Sequence, residues 1–138
     1  MALPSIGGGR QYGDGNTNEI VLVMQPAPAT IAAGATATIT AAQIVTGIIL
    51  ASPGNTASAY TLPTGTLMDA TFVNAKVDSG IDFSVTNIDG SGSGVITMTA
   101  GTGWTLVGLA TIAATAGTSA HFRARRTGTA TWTLYRIS

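Results

Sequence analysis

The segment Ile81-Asp82-Phe83-Ser84-Val85-Thr86-Asn87 alternates apolar and polar side chains without interruption. An alternation with a period of two places Ile81, Phe83 and Val85 on one face of a β-strand and the polar residues on the other. The segment therefore predicts a strand with one face in a protein core and the other face in water.

The same β signal continues on both sides of this segment. Continuous or alternating apolar runs of strand length, closed by Gly or Pro, predict further strands. These strands cover residues 20–24, 35–40, 95–99, 104–109, 119–126 and 129–137. The segment 89–94 is rich in Gly and Ser, which predicts a loop between two strands.

Two turns predict β-hairpins. The turn at 100–103 contains two glycines and predicts a hairpin between its flanking strands, and Thr127-Gly128 predicts a second hairpin. Alternation then defines the inner face of the second hairpin. Its inward side chains are expected to be Phe122, Ala124, Trp132 and Leu134.

Helical signals are confined to two short stretches, 40–45 and 63–70, and neither is long enough to cover a sheet. Short strands with Gly and Pro turns and no helical layer indicate a β-sandwich or a barrel. The spacing of strands and turns favours an all-β fold, namely a small jelly-roll-like antiparallel β-sandwich.

The chain divides into two parts. Its 138 residues suit one domain, and we assign residues 19–138 to a single β-sandwich domain. Residues 1–18 are Gly-rich, and glycine weakens helix and strand alike. Two interpretations stay open for this segment: a frayed tail, or an extended N-terminal arm that orders on a partner. Leu3, Ile6 and Tyr12 favour the arm, because a pure linker needs no apolar anchors.

The composition excludes several classes of protein. Only 9% of residues are charged, the formal net charge is zero and the mean hydropathy is +0.37, so the chain is not disordered as a whole. It has no Cys and one His, which excludes disulfide scaffolds and multi-histidine metal centres. The longest apolar stretch, 44–51, is too short to span a membrane, and the N-terminus lacks a secretory pattern. A surface so poor in charge tends to associate, so we expect much of it to face protein.

Candidate chemistry is sparse. His121 is accompanied by no nucleophile motif, so we predict that the protein is not an enzyme and needs no cofactor. The segment 14–19 begins like a calcium loop, but it has Glu19 where the loop needs Gly and Gln25 where it needs Glu. We therefore predict no metal site.

Charge is distributed unevenly along the chain. Residues 121–138 contain four arginines and no acid, whereas the middle of the chain is acidic. Alternation places His121, Arg123 and Arg125 on one outer strand face. Arginine suits bidentate pairing with carboxylates or phosphates, but a sequence pI near 6.5 argues against nucleic acid. We expect an interface with an acidic patch on another protein, in preference to a plainly solvated face.

Two further patterns have simpler explanations. The threonine runs Thr36/Thr38/Thr40 and Thr129/Thr131/Thr133 could suggest an ice-binding face, but no repeat of constant length exists, and strand pleating explains them. Aromatic side chains could form a sugar-stacking platform, although Trp104 and Trp132 fit core positions. The aromatic candidates are Tyr12, Tyr60, Trp104, Trp132 and Tyr135.

The segments 61–65, 81–87, 96–108 and 133–137 together resemble small β-sandwich proteins that decorate the heads of tailed bacteriophages. These are capsid cement or decoration proteins, including the jelly-roll type of podovirus-like capsids. The resemblance covers roughly residues 36–138 and consists of strand and turn motifs. Similar modules also occur in phage fibres, so an adhesin that binds host surface glycans is the alternative.

The resemblance implies a structural virion protein on the outer surface of the capsid, with no membrane contact. Its partners would be the major capsid protein and further copies of itself, with a homodimer favoured over a trimer. Residues 1–18 would correspond to an arm that grips the capsid. The expected capsid-interface residues are Leu3, Ile6, Arg10, Tyr12, His121, Arg123 and Arg125.

Overall fold

The computed structural model describes residues 25–32, 34, 36–89 and 91–138. The expected arm at 1–18 and the expected strand at 20–24 lie outside these residues. The described elements are, in chain order, β1 (Ala29–Ile31), β2 (Thr36–Thr38), α1 (Ala41–Val45), β3 (Ile48–Ala51), β4 (Ser58–Thr61), α2 (Gly65–Thr71), β5 (Gly80–Asn87), β6 (Ile96–Thr99), β7 (Trp104–Val107), β8 (Thr111–Ile112), β9 (Ser119–Gly128) and β10 (Thr131–Arg136).

The strands form two sheets, an arrangement compatible with the expected β-sandwich. Sheet A has the order β1-β3-β5-β9-β10-β7, and sheet B has the order β2-β4-β6-β8. Apolar side chains from both sheets and both helices join in a single core. The largest fully buried side chains are Trp132, Tyr60, Phe83, Phe122, Ile39, Ile44, Ile49, Leu62, Met68, Ile96, Met98 and Ile112.

The expected antiparallel pairing is wrong for most of the strands. The first six strands alternate between the sheets, and each of β3 to β6 pairs in parallel with the strand two places before it. This part of the chain therefore makes three turns of a flattened coil, as in solenoid proteins, rather than the antiparallel connections of a jelly roll. Parallel neighbours need crossover connections, and each crossover here passes through the other sheet.

Antiparallel pairing begins at the end of the coil. β9 pairs with β5 on one side and with β10 on the other, and β8 closes sheet B against β6. The hairpin expected across Thr127-Gly128 is confirmed, with its turn at residues 128–131. Its four expected inward side chains are all buried, as are Phe83 and Val85 of β5.

The hairpin expected at 100–103 is wrong, because the flanking strands lie in different sheets. β6 belongs to sheet B, whereas β7 pairs in parallel with β10 in sheet A. The glycines allow close backbone packing at this crossing: a Cβ on Gly101 would lie 2.2 Å from the carbonyl oxygen of Leu62. Gly103 has a φ of +88°, and a Cβ there would lie 2.2 Å from the oxygen of Ala130.

Both short helices are confirmed, and both begin at a threonine. Thr40 accepts a hydrogen bond from the backbone of Gln43, whose side chain accepts one from Thr40 N–H in return. Thr64 caps α2 by accepting from Leu67 N–H. These caps satisfy backbone donors that a helix start leaves free, which allows helices this short to form.

Candidate functional site

The outer face of sheet A carries the charged residues that the sequence singled out. Register places Asp82, Arg123, Tyr135 and Val107 in one row across β5, β9, β10 and β7. The alternate residues of these strands point into the core, which fixes the direction of this row. We call the surface the docking face and define it by Asp82, Ser84, Val107, His121, Arg123, Arg125 and Tyr135.

Arg123 and Asp82 form the central pair of the docking face. The guanidinium donates from Nε to Oδ1 at 2.6 Å and from Nη2 to Oδ2 at 2.7 Å. These hydrogen bonds lower the pKa of Asp82 and raise the pKa of Arg123. The Arg123 side chain nevertheless stays 56% exposed. A guanidinium has five N–H donors, so Arg123 keeps donors for a partner in addition to those that Asp82 uses.

Arg125 makes a second pair beside the first. Its Nε donates to Oδ1 of Asp78 at 3.0 Å, its Nη2 bonds to the same oxygen, and its Nη1 donates to the Tyr135 hydroxyl at 3.3 Å. The hydrogen bonds to Asp78 and then to Tyr135 raise the pKa of Arg125. Tyr135 is half-buried, lies opposite Arg123 in the strand register and hydrogen-bonds to Arg125.

These pairs show that the arginines already have acidic partners within the molecule, whereas the expected interface with another protein stays a prediction. Residues 121–138 carry no acid, but β5 and the segment before it supply Asp82 and Asp78 from within the same molecule. The uneven charge along the sequence therefore cancels in space. The docking face is polar and hydrogen-bonded, and together with Asp78 its two arginines and two aspartates leave little net charge.

Arg126 follows on the same strand but lies in a different environment. It donates to both oxygens of Asp69 on α2, at 2.9 and 2.7 Å. Asp69 also accepts from Ala130 N–H at 2.9 Å and from Trp132 Nε1 at 3.0 Å. The hydrogen bonds from Arg126 and then from Ala130 hold the pKa of Asp69 well below its usual range. We call this cluster the clasp, because it ties α2 to the β9–β10 hairpin.

The clasp was not predicted from the sequence. The sequence contains one relevant signal: the short helix predicted at 63–70 includes Asp69, and a short helix in a β-protein must pack against a sheet. The partner across the chain cannot be read from spacing, because 57 residues separate the two side chains.

Ser84, His121 and Asp82 bring together the residue types of a hydrolase triad. Ser84 Oγ lies 3.0 Å from His121 Nδ1, but His121 Nε2 lies 3.6 Å from Asp82 Oδ2, beyond hydrogen-bond distance. Both Asp82 oxygens already accept from Arg123. The row lies on a sheet face whose backbone N–H groups bond to neighbouring strands. His121 therefore hydrogen-bonds to Ser84 in a row in which Arg123 takes up both oxygens of Asp82.

Several expected site residues lie outside the described part of the chain. These are Leu3, Ile6, Arg10 and Tyr12, together with the calcium-like segment 14–19. Among the residues that the structure describes, no group of three His, Cys, Asp or Glu side chains is placed to hold a metal ion. Within the same residues, no helix is long and apolar enough to cross a membrane.

The aromatic residues expected in the core are there. Trp104 and Trp132 pack with their ring centroids 6.0 Å apart, and the Trp104 indole donates to Pro63 O at 2.6 Å. Tyr60 is also fully buried. A groove of about 610 Å³ lies beside α1 and α2, but its walls are threonine, alanine, glycine, leucine, isoleucine and proline. These aromatic rings and this groove do not form a sugar-stacking platform.

The outer face of sheet B is made largely of threonine. Parallel register aligns Thr38, Thr61 and Thr99 in one row. The next row contains Thr36, Ala59, Thr97 and Thr111. The alignment exists although the sequence has no constant repeat, because the connections between the strands differ in length. The face is regular and uncharged, and it extends over four strands.

No protein family model, curated protein or solved structure matches this chain.

Proposed function

We propose that this protein is a structural virion protein, a capsid cement protein that binds the outside of a tailed-phage head. In this role it contacts neighbouring subunits of the major capsid protein and opposes their separation. The observation that carries the proposal is the docking face: an outer sheet surface whose arginines and aspartates are paired with each other and flanked by exposed apolar residues. Such a surface suits a protein partner better than a small molecule.

Arginine and tyrosine are the residue types that contribute most to protein interfaces. Arg123, Arg125 and Tyr135 stand together on the docking face, with Val107 at the end of their row. The spare guanidinium donors hydrogen-bond to a coat subunit, while the tyrosine ring and the valine supply apolar contact. Because the face has little net charge, its partner surface is polar and close to neutral rather than acidic.

The contact between one copy and one coat subunit can be weak, because many copies bind to the same shell. A cement protein is present in large numbers, and each copy is held by more than one coat subunit, so a modest energy per contact is multiplied. The low charge of the chain limits repulsion between adjacent copies on the shell. A homo-oligomer, either a dimer or a trimer, would increase the number of contacts per bound unit.

The N-terminal arm belongs to the same proposal. Residues 1–18 grip the shell through Leu3, Ile6, Arg10 and Tyr12, while the sandwich rests on it through the docking face. Deleting residues 1–18 is expected to abolish shell binding and to leave the melting temperature of the remaining domain unchanged. Unchanged shell binding by the deletion variant would contradict the role of the arm.

The proposal is tested by co-sedimentation of the purified protein with expanded shells of the coat protein encoded in the same genome. We expect saturable binding at a fixed ratio to the coat subunit, and the ratio would identify the symmetry of the site. A protein that is folded by circular dichroism but does not sediment with the shells would contradict the proposal.

A tail-fibre or adhesin module that binds host glycans is the second candidate. The three turns of parallel coil favour it, because such coils are repeat architectures that build elongated proteins. The burial of Tyr60, Trp104 and Trp132 argues against it, since these rings are not available for stacking on sugars. Binding to a glycan array together with no binding to shells would favour the fibre function.

A further inference from the structure

The four edge strands of the two sheets are protected to different degrees. An edge strand presents unpaired backbone N–H and C=O groups, and proteins usually blunt such an edge with proline, charge or very short length. β1 follows Pro26 and Pro28 and has three residues, β2 has three residues and β8 has two. Three of the four edges are therefore blunted.

The fourth edge, β7, lacks these protections. Its sequence Trp104-Thr105-Leu106-Val107 has neither proline nor charge, and it is the longest edge strand of the described residues. Val107 is 48% exposed, and Leu109 just beyond it is 68% exposed. Arg136 donates to the carbonyl oxygens of Leu109 and Thr111, which follow β7 along the chain.

One side of β7 pairs with β10, and the other side has no strand partner among the residues that the structure describes. Trp104 N–H already donates to Gly101 O at 3.1 Å, and the backbone groups of β7 that remain unpaired fit an added β-strand. We propose that β7 pairs antiparallel with β7 of a second copy of this chain, so that two copies of sheet A form one continuous sheet.

Charge favours a second copy as the occupant. Because β7 has no charged residue, pairing it with itself brings no like charges together. The chain as a whole has a formal net charge of zero, so two copies do not repel each other at longer range. An isologous contact of this kind closes after two subunits and does not propagate into a fibre.

The pleat of the strand fixes the symmetry axis. Residues directly opposite each other in an antiparallel pair point to the same side of the sheet. Thr105 and Val107 share the side of Arg123 and Tyr135, so their partners across the edge must be the Thr105 and Val107 of the second copy. The two-fold axis is therefore perpendicular to the sheet, and both docking faces point in the same direction.

This dimer presents two docking faces in one plane, which would bind two coat subunits at once. The proposed pairing of β7 with itself does not depend on a capsid, whereas the binding of one dimer to two coat subunits rests on the proposed function. Self-association is measured in buffer without shells, so the two claims fail separately.

The test is sedimentation equilibrium of the full chain and of Val107→Lys, over protein concentrations from about 1 to about 200 µM. We expect the wild type to be a dimer and Val107→Lys to dissociate at least about tenfold more readily, because each copy would carry a lysine on the edge strand, where a charge opposes strand addition. Val73→Lys is the matched control, since Val73 is 76% exposed and lies on the connection after α2. A melting curve checks that each variant is folded.

Hydrogen exchange at the Leu106 amide provides a second measurement. Its protection should fall on dilution of the wild type and should be low in Val107→Lys at all concentrations.

A monomeric wild type, a trimer, or equal association of the two lysine variants would overturn the proposal. Protection that is independent of concentration would overturn it too, since a segment of the same chain would then cover β7. Reduced shell binding by Val107→Lys with a monomeric wild type would assign the edge to a coat strand instead.

Discussion

Two kinds of arginine–aspartate pair stand side by side on β9. Arg123 and Arg125 reach outward to Asp82 and Asp78, whereas Arg126 reaches inward to Asp69. The residue types are the same, and all three arginines hold an aspartate through two guanidinium nitrogens. What differs is the surroundings, and the surroundings decide what each pair does.

The clasp is largely shielded from solvent, and both carboxylate oxygens of Asp69 accept hydrogen bonds within the protein. The Arg126 and Asp69 side chains are 17% and 20% exposed, and Asp69 accepts from a backbone amide and an indole as well. Removing one partner leaves buried donors unsatisfied. The outer pairs lie in water, where solvent screens their attraction and the net contribution to stability is small. Such pairs are available to a binding partner, so we assign stability to the clasp and recognition to the docking face.

The largest effect is expected where the backbone itself closes the clasp. A Cβ on Gly65 would lie 2.0 Å from the carbonyl oxygen of Ala130, the residue whose amide donates to Asp69. Gly65→Ala should therefore push the hairpin turn away and cost about 3 kcal/mol of unfolding free energy, measured by urea denaturation. Gly34→Ala is the control, because its Cβ would lie 3.7 Å from the carbonyl oxygen of Thr36, an ordinary van der Waals distance. Equal stability of the two variants would show that the turn adapts freely.

A smaller loss is expected when the clasp loses only its charge. Asp69→Asn keeps the shape of the side chain but brings an amide against the Arg126 and Trp132 donors, and we expect a loss of about 2 kcal/mol. Asp82→Asn makes the same change on the docking face, where screening should limit the loss to less than about 1 kcal/mol. Chemical denaturation of both variants measures the difference. A larger loss for Asp82→Asn would reverse the roles that we assign.

The clasp should also make stability depend on pH. The folded pKa of Asp69 lies below that of the unfolded chain, so its contribution is fully present above an unfolded value of about 4. It is lost progressively as the pH falls below that value toward the folded pKa. We expect the wild type to lose more stability than Asp69→Asn between about pH 5 and pH 2. Parallel curves for the two proteins would contradict the linkage. A slope common to both proteins is expected from Asp82 and Asp89, whose pKa values are also lowered.

The local features of this fold could be read from the sequence, but its pairing could not. Alternation identified β5, β9 and β10 and their buried side chains, because which way a side chain points depends only on its neighbours along the strand. The choice between a parallel and an antiparallel neighbour depends on where the chain goes between strands. Here α2 and the segment 72–79 interrupt the second turn of the coil, so the turns differ in length and no repeat is visible.

The same limit applies to the candidate site. His121, Arg123 and Arg125 were placed correctly on one outer face, because that inference required only the period of a strand. Their acids were assigned to another molecule, because Asp78 and Asp82 lie more than forty residues away along the chain. Register brings β5 beside β9 and cancels the charge. Composition therefore predicted an associating surface, whereas only the structure shows that its charges are paired within the molecule.

The central claim is that the outer pairs recognise a partner while the clasp maintains the fold, and shell binding by Arg123→Ser/Arg125→Ser tests it most directly. Co-sedimentation with coat shells at moderate salt should show binding at least about tenfold weaker than that of the wild type, with an unchanged melting temperature. Lys76→Ser, which removes an exposed cation outside the docking face, should bind like the wild type. Wild-type affinity in the double arginine variant would mean that the docking face is merely solvated, and the claim would be wrong.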